Sequence, residues 1–600
     1  MKLTTLDYAI IFAFFAITLI IGIVVSKRAG KNTDEFFLSG RNMPWWLLGF
    51  SMVATTFAAD TPLYVADVVR QNGVSANWEW WTFLITGMLT VFVYAKLWRK
   101  SNVKTDIEFY ELRYGGKPAK FLRGFRAIYL GLVFNVLVMS AVMLAAIKIG
   151  GIMLGLSQYE VVGYAGIVTV IFSAIGGFRG VVYTDFLLFI VAMIGAILAA
   201  YYAVNLPQVG GLTALFENEL VASKMSVLPD FNNTELMMTL LVIPLAVQWW
   251  SAWYPGAEPG GGGYIAQRML AAKDEKNAIG ATFFFNIMHY AIRPWPWILV
   301  ALASLVVFPN LESIQAAFPS IEAGKLGHDY AYPAMLTFLP KGVLGLVLAS
   351  LVAAFMSTIS THLNWGSSYM VNDFYKRFVK PEATEKEQVL VGRLSTIVLI
   401  ILSSILALGF TNAGQVFHAI IAFGAGTGLL FILRWFWWRI NSWSEISAMI
   451  SSGIVSLTFT FNEKTLFGAE NMFPAWSKFP LIVLVTTIIW VLVTYLTKPE
   501  EQDVLEKFYQ KIQPSKIGWH KIINKAKANG NDIVDPTVNT SLTYGIIAML
   551  ISTLMVYGIL FATGNFIYGE YQLALILSGF VLVCIFILIK LWEKIKVGLV

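Results

Sequence analysis

Long apolar runs separated by short polar stretches dominate the chain. A run of about twenty apolar residues is long enough to cross the hydrocarbon core of a bilayer as a helix. Such runs lie near 6–26, 44–69, 77–97, 123–150, 159–178, 181–204, 236–254, 277–307, 335–366, 388–409, 414–437, 444–461, 479–497, 541–563 and 570–592. The pattern predicts an all-α membrane protein of about 15 spans.

The second run differs from the others because its centre is polar. Asp60 stands at membrane depth, where an ionisable residue costs about 2.5–3.5 kcal/mol and marks a functional site by default. Pro62 has no N–H for the helical ladder and crowds the carbonyl of Ala58. The carbonyls between Ala54 and Ala58 are therefore predicted to lose their helical partners. Secondary transporters build substrate and ion sites from helices broken in this way.

A second interruption follows in the run at 236–254. It consists of Pro255 to Pro259, with Glu258 inside it, and the four glycines that come next. Both interruptions have an acid just before a proline, and their separation of about two hundred residues suits an inverted repeat of five helices each. A Pro- and Gly-rich stretch is also typical of the beginning of a loop.

Composition and charge placement agree with a membrane protein. Of the 600 residues, 57% are hydrophobic and only 13% are charged, about half the charge of a soluble protein. Cations concentrate in alternate loops, which predicts an external N-terminus and a cytoplasmic C-terminus in a multi-pass protein of the cell (inner) membrane. The cationic positions are 96–126, Arg179, Arg268, Lys273, Lys276, 376–380, Arg434, Arg439 and 498–527. We therefore attribute the net charge of +7 to orientation in the membrane and expect no nucleic-acid partner.

The number and spacing of the cysteines and histidines exclude several classes of function. Cys584 is the single cysteine, so a disulfide within one chain and a thiolate metal site are excluded. The five histidines show no metal-ligand spacing, and no nucleophile–base pair is visible. We expect neither an enzyme nor a cofactor.

A hydroxyl-bearing face lies in the ninth run. Ala354 precedes Ser357 and Thr358 by three and four residues, so the three share one helical face. Their two hydroxyls and one carbonyl, with two carbonyls from the broken second run, would form a neutral cage of oxygens, the ligands that hard cations prefer. The same hydroxyls also commonly stabilise contacts between membrane helices, and the spacing alone favours that alternative.

Several short motifs follow one another in order along the first three quarters of the chain. They are Asn42–Trp46, Gly176–Asp185, Gln267–Lys273, Asp329–Pro333 and Ala353–Thr358, with Leu363–Asn364 and Asp373–Lys376. From about residue 6 to about residue 440, the chain resembles the sodium/solute symporter family, which includes bacterial sodium/proline, sodium/galactose and sodium/sialic acid symporters.

The resemblance implies a LeuT-type fold, which is a five-plus-five inverted repeat with one extra N-terminal helix. About four further helices would follow at the C-terminus. Residues 1–40 would then hold the first extra helix and a cytoplasmic loop, 41–440 the transport core, and 441–600 the C-terminal helices. The polar stretch 498–540 is expected to be a cytoplasmic linker with one amphipathic helix.

The resemblance also implies a sodium site. Its ligands would be the carbonyls of Ala54, Phe57 and Ala354 and the hydroxyls of Ser357 and Thr358. Asp185 matches an acid near this site in relatives, where it balances charge or binds a second ion. Alternatively, Asp185 is a helix cap or a structural acid. Relatives usually have a glutamine where this chain has Leu188.

For the solute, the resemblance points to two neighbouring segments. Thr56, Asp60 and Thr61 match ligand positions on the broken helix, and Glu79 and Thr82 match an acid and a hydroxyl on the next helix. Glu79 stands among Trp78, Trp80 and Trp81. A carboxylate accepts hydroxyl protons while a flat ring covers a C–H face, so this group favours a sugar or polyol. The alternative for the tryptophans is an aromatic belt at the membrane interface.

Four further positions complete the candidate solute site. Trp253 and Tyr254 are the best counterparts of the family's polar and gating residues, and His418 lies where relatives place a polar ligand, although a lone histidine on an apolar helix is more often structural. Arg293, four residues after His289, would pair with a solute carboxylate, or else would snorkel or pair with a nearby acid.

We therefore predict a sodium-coupled secondary active symporter that imports a small polar solute, with a sugar or polyol preferred. Alternatives are an amino acid or small carboxylate as solute and, from another class, a membrane-embedded sensor. The expected partners are sodium as coupling ion, the solute and the lipid bilayer, and the chain is expected to function as a monomer.

Overall fold

The structure is a computed structural model that describes residues 3–26, 33–56, 58–251, 258–410, 421, 424–461, 473–536, 538 and 542–599. Within these residues the regular elements are helices, apart from one isolated parallel bridge between Met43 and Ala272. The main helices are α1 (Thr5–Ser26), α2 (Trp45–Thr56), α3 (Asp60–Asn72), α4 (Val74–Ser101), α5 (Gly116–Leu154), α6 (Gln158–Val204), α7 (Thr234–Ala246), α8 (Gly263–Ala271), α9 (Glu275–Val307), α10 (Val343–Val379), α11 (Glu385–Gly409), α12 (Gly428–Leu433), α13 (Ser442–Phe461), α14 (Ala475–Leu496), α15 (Gln502–Ile512), α16 (His520–Ala528), α17 (Thr543–Tyr568) and α18 (Tyr571–Leu599).

Ten helices of the described chain are long and apolar enough to cross a membrane. They coincide with ten of the predicted spans, and the count of about 15 is not reached. Of the remaining predicted spans, 44–69 is divided into α2 and α3, and 236–254 contains the short helix α7. The span 414–437 contains the short helix α12, and its residues 414–420, 422 and 423 lie outside the described residues. Helix α13 occupies the span predicted at 444–461.

The fifth and sixth predicted spans form one continuous helix, α6, of 47 residues. At 1.5 Å per residue it is roughly 70 Å long, more than twice the thickness of a hydrocarbon core of about 30 Å. The prediction of two helices separated by a loop at Arg179 is therefore wrong. The pair Gly176-Gly177 is a turn signal, but no proline interrupts Gln158–Val204 and the helix continues through the glycines.

The predicted break in the second run is present. Helix α2 ends at Thr56 and α3 begins at Asp60. Pro62 lies in the first turn of α3, where a missing N–H costs nothing because that turn has no intrahelical acceptors for its N–H groups. The N–H of Thr61 donates to the carbonyl of Ala58 at 3.2 Å.

The broken helix lies at the centre of the bundle. Helix α2 packs against α6, α8, α9 and α10, and α3 packs against α9. On the outside, α17 packs against α4, α9 and α18. The large side chains Leu575, Leu582 and Ile589 of α18 are exposed, and their seven-residue spacing places them on one face that suits contact with lipid.

The stretch at 498–540 is more structured than predicted, because it holds two helices, α15 and α16, where one was expected. Phe508 and Trp519 from this stretch are fully buried, and Trp519 Nε1 donates to the carbonyl of Trp435 at 3.0 Å. The segment therefore packs onto the bundle and is not a free linker.

Candidate cation and solute site

The hydroxyl face of α10 meets the broken end of α2. Thr358 Oγ1 donates to the carbonyl of Thr55 at 2.8 Å, and the hydroxyls of Thr55 and Thr361 lie 3.0 Å apart. Ala354, Ser357, Thr358 and Thr361 are all buried. Their spacing of three, four and seven residues places them on one side of the helix, and that side faces α2.

Asp185 of α6 joins the same group. Its two carboxylate oxygens accept hydrogen bonds from Ser357 Oγ at 2.6 Å and from Ser51 Oγ at 2.5 Å. Asp185 lies in the interior of α6, so the helix-cap alternative is wrong. A buried carboxylate is costly unless it is paired and hydrogen-bonded, and both hydroxyls serve this purpose.

Arg268 of α8 pairs with Asp185 at 3.6 Å, and both side chains are 0% exposed. Its Nε donates to Ser51 Oγ at 3.1 Å, and its Nη2 donates to Thr361 Oγ1 at 2.8 Å and to Thr55 Oγ1 at 3.2 Å. The prediction that Arg268 is a loop cation is therefore wrong. The burial of Arg268 could have been inferred from the sequence, because Arg268 lies among the apolar residues of Gly263–Ala271.

Arg293 of α9 occupies the opposite side of α2. Its Nη1 and Nη2 donate to the carbonyls of Val53 and Thr56, each at 3.0 Å, and the residue is fully buried. The freed carbonyls at the end of α2 thus receive donors from a guanidinium fork, whose planar geometry suits two neighbouring acceptors. The prediction that Arg293 snorkels toward the membrane interface is therefore wrong, because its guanidinium donates to buried backbone carbonyls.

On the solute side, α3 and α4 bring acids and a phenol together. Tyr64 OH donates to Glu79 Oε2 at 2.9 Å, and the Glu79 carbonyl accepts from Gln248 Nε2 at 2.8 Å. Asp60 precedes Tyr64 by four residues, so both lie on one face of α3. Asp60 Oδ1 is buried and has no hydrogen-bond donor among the described residues.

The other predicted solute ligands have local partners. Thr56 Oγ1 donates to the Met52 carbonyl at 2.7 Å and lies 3.0 Å from Tyr264 OH. Thr82 Oγ1 donates to the Pro244 carbonyl at 2.8 Å, which connects α4 with α7. Thr61, at the start of α3, is half-buried.

The tryptophans around Glu79 are internal. Trp78, Trp80 and Trp81 are all buried, so the alternative of an aromatic belt at the membrane interface is wrong. Trp80 stacks on Tyr290 with ring centroids 5.9 Å apart and makes an edge contact with His289. Phe57, Trp253, Tyr254 and His418 lie outside the described residues, so their predicted roles stay predictions.

Comparison with known proteins agrees with these observations. The model of the sodium:solute symporter family matches residues 36–452. A sodium/glucose cotransporter of Vibrio parahaemolyticus is 27% identical over 474 residues, which cover 75% of this chain and 84% of that protein. A sodium/mannose cotransporter of Bos taurus is 27% identical, with 76% and 79% covered. A human sodium/myo-inositol cotransporter is 25% identical, with 76% and 70% covered.

Among solved structures, a sodium-coupled sialic acid symporter in a substrate-bound, outward-open state is similar, with a TM-score of 0.65. It is 21% identical, and 83% of this chain and 100% of that chain are covered. This likeness shows a shared fold. Together with the family match over more than half of the chain, it establishes an integral membrane transporter and not an enzyme: the chain belongs to the sodium:solute symporter family.

Proposed function

We propose that the chain is a secondary active symporter that uses one sodium site, at the meeting of α2 and α10, to import a sugar or polyol. The architecture that we propose is a five-plus-five inverted repeat with added helices at both ends, an external N-terminus and a cytoplasmic C-terminus. The observation that carries the proposal is the pair of contacts from Ser357 to Asp185 and from Thr358 to the Thr55 carbonyl.

These two contacts prepare the hydroxyls for a cation. A hydroxyl has one proton and two lone pairs. Ser357 gives its proton to Asp185, and Thr358 gives its proton to the carbonyl of Thr55, so each hydroxyl presents its oxygen as an acceptor, the role that a cation ligand needs. The carbonyls of Ala54, Phe57 and Ala354 would complete a cage of five neutral oxygens, the hard ligands that suit an alkali ion.

Asp185 and Arg268 set the charge around this cage. Their side chains are 3.6 Å apart and fully buried, so the pair contributes almost no net charge while it is intact. A sodium ion beside Ser357 would attract the carboxylate and repel the guanidinium. Binding of the ion would therefore weaken the hold of Arg268 on α2 and α10, which gives sodium a differential effect on two conformations, as coupling requires.

The solute side fits a ligand with many hydroxyls. Asp60 Oδ1 lacks a donor among the described residues, and the carboxylate of Glu79 faces Tyr64. Two acids attract hydroxyl protons and repel a carboxylate. The Arg293 fork, which would favour an acidic solute, is directed at Val53 and Thr56. Relatives named for glucose, mannose and myo-inositol support the same solute class.

The driving force of one sodium ion is sufficient for nutrient uptake. A potential of 100 mV gives about 2.3 kcal/mol per charge, and a tenfold sodium gradient adds about 1.4 kcal/mol. Together they support accumulation of the solute on the order of several hundredfold.

The sodium proposal is tested by solute uptake into proteoliposomes with sodium or potassium outside. The double variant Ser357→Ala/Thr358→Ala should lose sodium stimulation. The matched control is Ser367→Ala/Ser368→Ala, because these hydroxyls are also buried on α10 but donate to carbonyls of their own helix. Sodium stimulation that persists in the first variant would refute the site.

The solute class is tested by thermal unfolding of the purified protein in sodium, with sugars, polyols, amino acids or organic acids added. Sugars or polyols should raise the unfolding temperature, and Glu79→Gln and Asp60→Asn should abolish that rise. Stabilisation by an amino acid or organic acid alone would overturn the solute proposal and leave the sodium site standing.

A further inference from the structure

A basic cavity lies at the end of the bundle where α4 ends and α9 begins. It has a volume of about 730 Å³. Its lining contains five cations and two acids, so it carries a net positive charge. The charged lining residues are Lys96, Arg99, Lys100, Lys273, Lys276, Asp274 and Glu275.

Most of this positive charge is available to a ligand. Within the described residues, no carboxylate lies within 4.0 Å of Lys100, Lys273 or Lys276 to form an ion pair. Asp274 is engaged as the cap of α9, since its Oδ1 accepts from the N–H and the side-chain amide of Asn277, each at 2.8 Å. The cavity therefore holds three ammonium groups that form no close ion pair among the described residues, and Asp274, which attracts Lys273 and Lys276 at longer range, already has two donors.

An apolar groove begins where the basic cavity ends. It has a volume of about 1080 Å³ and runs between α4, α9, α17 and α18. Its walls are mostly apolar, with Phe92, Phe283, Ile559, Ile589 and Trp592 among them, and two charged residues, Lys276 and Glu593, also line it. Lys276 lines both the groove and the basic cavity, so the two lie next to each other.

This combination matches one class of molecule. An acyl chain needs an apolar groove that opens toward the bilayer, and Trp592 at the groove is 49% exposed on the outer helix α18. A phosphate headgroup needs cations at the end of that groove, and basic pockets between membrane helices bind anionic lipid headgroups. A soluble anion would account for the basic cavity but not for the apolar groove beside it.

We propose that an anionic phospholipid binds here, with an acyl chain in the groove and its phosphate on Lys100, Lys273 and Lys276. The groove lies between α9 of the family core and α17 and α18, which follow the last residue, 452, that the family model matches. The lipid would join these added helices to the core. Helix α9 also carries Arg293, so the lipid would hold in place the helix that clamps α2.

The test measures thermal unfolding of the full-length protein in zwitterionic detergent with phosphatidylglycerol or phosphatidylcholine added. Phosphatidylglycerol should stabilise the wild type and phosphatidylcholine should not. Lys100→Gln/Lys273→Gln/Lys276→Gln should weaken the apparent affinity on the order of a hundredfold, because each cation near an anionic lipid contributes about 1 kcal/mol. Inorganic phosphate should give no stabilisation at the same concentration.

Two further variants separate charge from the groove. Lys516→Gln/Lys525→Gln/Lys527→Gln removes the same charge from exposed positions outside the cavity and should retain the lipid effect. Ile559→Trp fills the groove, leaves the cations intact and should weaken binding of the lipid. Equal stabilisation by both lipids, an unchanged lipid effect in the first triple variant, or full stabilisation by inorganic phosphate would each overturn the proposal.

Discussion

The two sides of α2 each carry a buried arginine, and the two arginines hold the helix in different ways. Outside its own helix, Arg268 contacts side chains, namely a carboxylate and three hydroxyls. Arg293 contacts the backbone carbonyls of Val53 and Thr56. Side chains can rotate to new hydrogen-bond partners, whereas the backbone carbonyls at the end of a helix are fixed in position. The Arg268 side is therefore suited to respond to an ion, and the Arg293 side is suited to fix the break.

The largest effect is expected for Arg293→Leu. It removes two hydrogen bonds from a charged donor, each of which contributes about 1.5–3 kcal/mol, so the loss of stability is about 3–6 kcal/mol. Thermal unfolding of the purified protein measures it. Arg293→Lys should remain destabilised because a lysine lacks the fork. If Arg293→Leu unfolds at the same temperature as the wild type, the hydrogen bonds from Arg293 to the carbonyls of Val53 and Thr56 do not stabilise the end of α2.

Arg268→Leu should cost about 3–5 kcal/mol, because it leaves a buried carboxylate without its cation. Here the partner is also a side chain, so a second substitution can compensate. Asp185→Asn/Arg268→Leu should recover part of the unfolding temperature while sodium stimulation of uptake stays absent. If the double variant is no more stable than Arg268→Leu, the two charges are not coupled and the contrast between the two arginines fails.

Ser51→Ala should have a smaller effect, a loss of about 1–3 kcal/mol, because Ser51 both donates to Asp185 and accepts from Arg268. The sodium concentration that gives half-maximal uptake should rise, since the carboxylate would lose one of its two hydroxyl donors. A sodium titration of uptake checks this. A lower half-maximal concentration would contradict the role of Ser51 in orienting Asp185.

The smallest effect is expected for Thr361→Val, which removes the hydroxyl that accepts from Arg268 and lies against the hydroxyl of Thr55. Because Arg268 Nη2 keeps Ser51 and Thr55 as acceptors, the loss of stability is about 0.5–1.5 kcal/mol. Thr396→Val is the matched control, because Thr396 is buried on α11 and donates only to the Gly392 carbonyl of its own helix. Thermal unfolding with and without sodium should differ between the two variants. The same response in both would show that the Thr361 hydroxyl does no more than an ordinary helix hydroxyl.

Local sequence predicted the features that depend on neighbouring residues. Pro62 and Asp60 predicted the break in the second run, because a proline removes a hydrogen-bond donor from the helix. The spacing of Ala354, Ser357 and Thr358 predicted a polar helix face, because helical periodicity can be read from neighbouring residues. Both are present in the structure. The ion-binding and solute-binding roles of these residues remain predictions.

The partners of the two arginines could not be predicted, because they come from distant parts of the chain. Arg268 meets Ser51 across 217 residues, and Arg293 meets Val53 across 240 residues. Periodicity tells which face of a helix is polar and does not tell what that face will contact. For the same reason, charge counting assigned Arg268 to a loop, although the apolar residues around it indicated burial.

Direct binding of radioactive sodium to the purified protein tests the central claim, that Ser357 and Thr358 together with the end of α2 bind the coupling ion. The account predicts saturable binding to the wild type and to Ser367→Ala/Ser368→Ala, and its loss in Ser357→Ala/Thr358→Ala. Binding of sodium to the last variant with the affinity of the wild type would contradict the account.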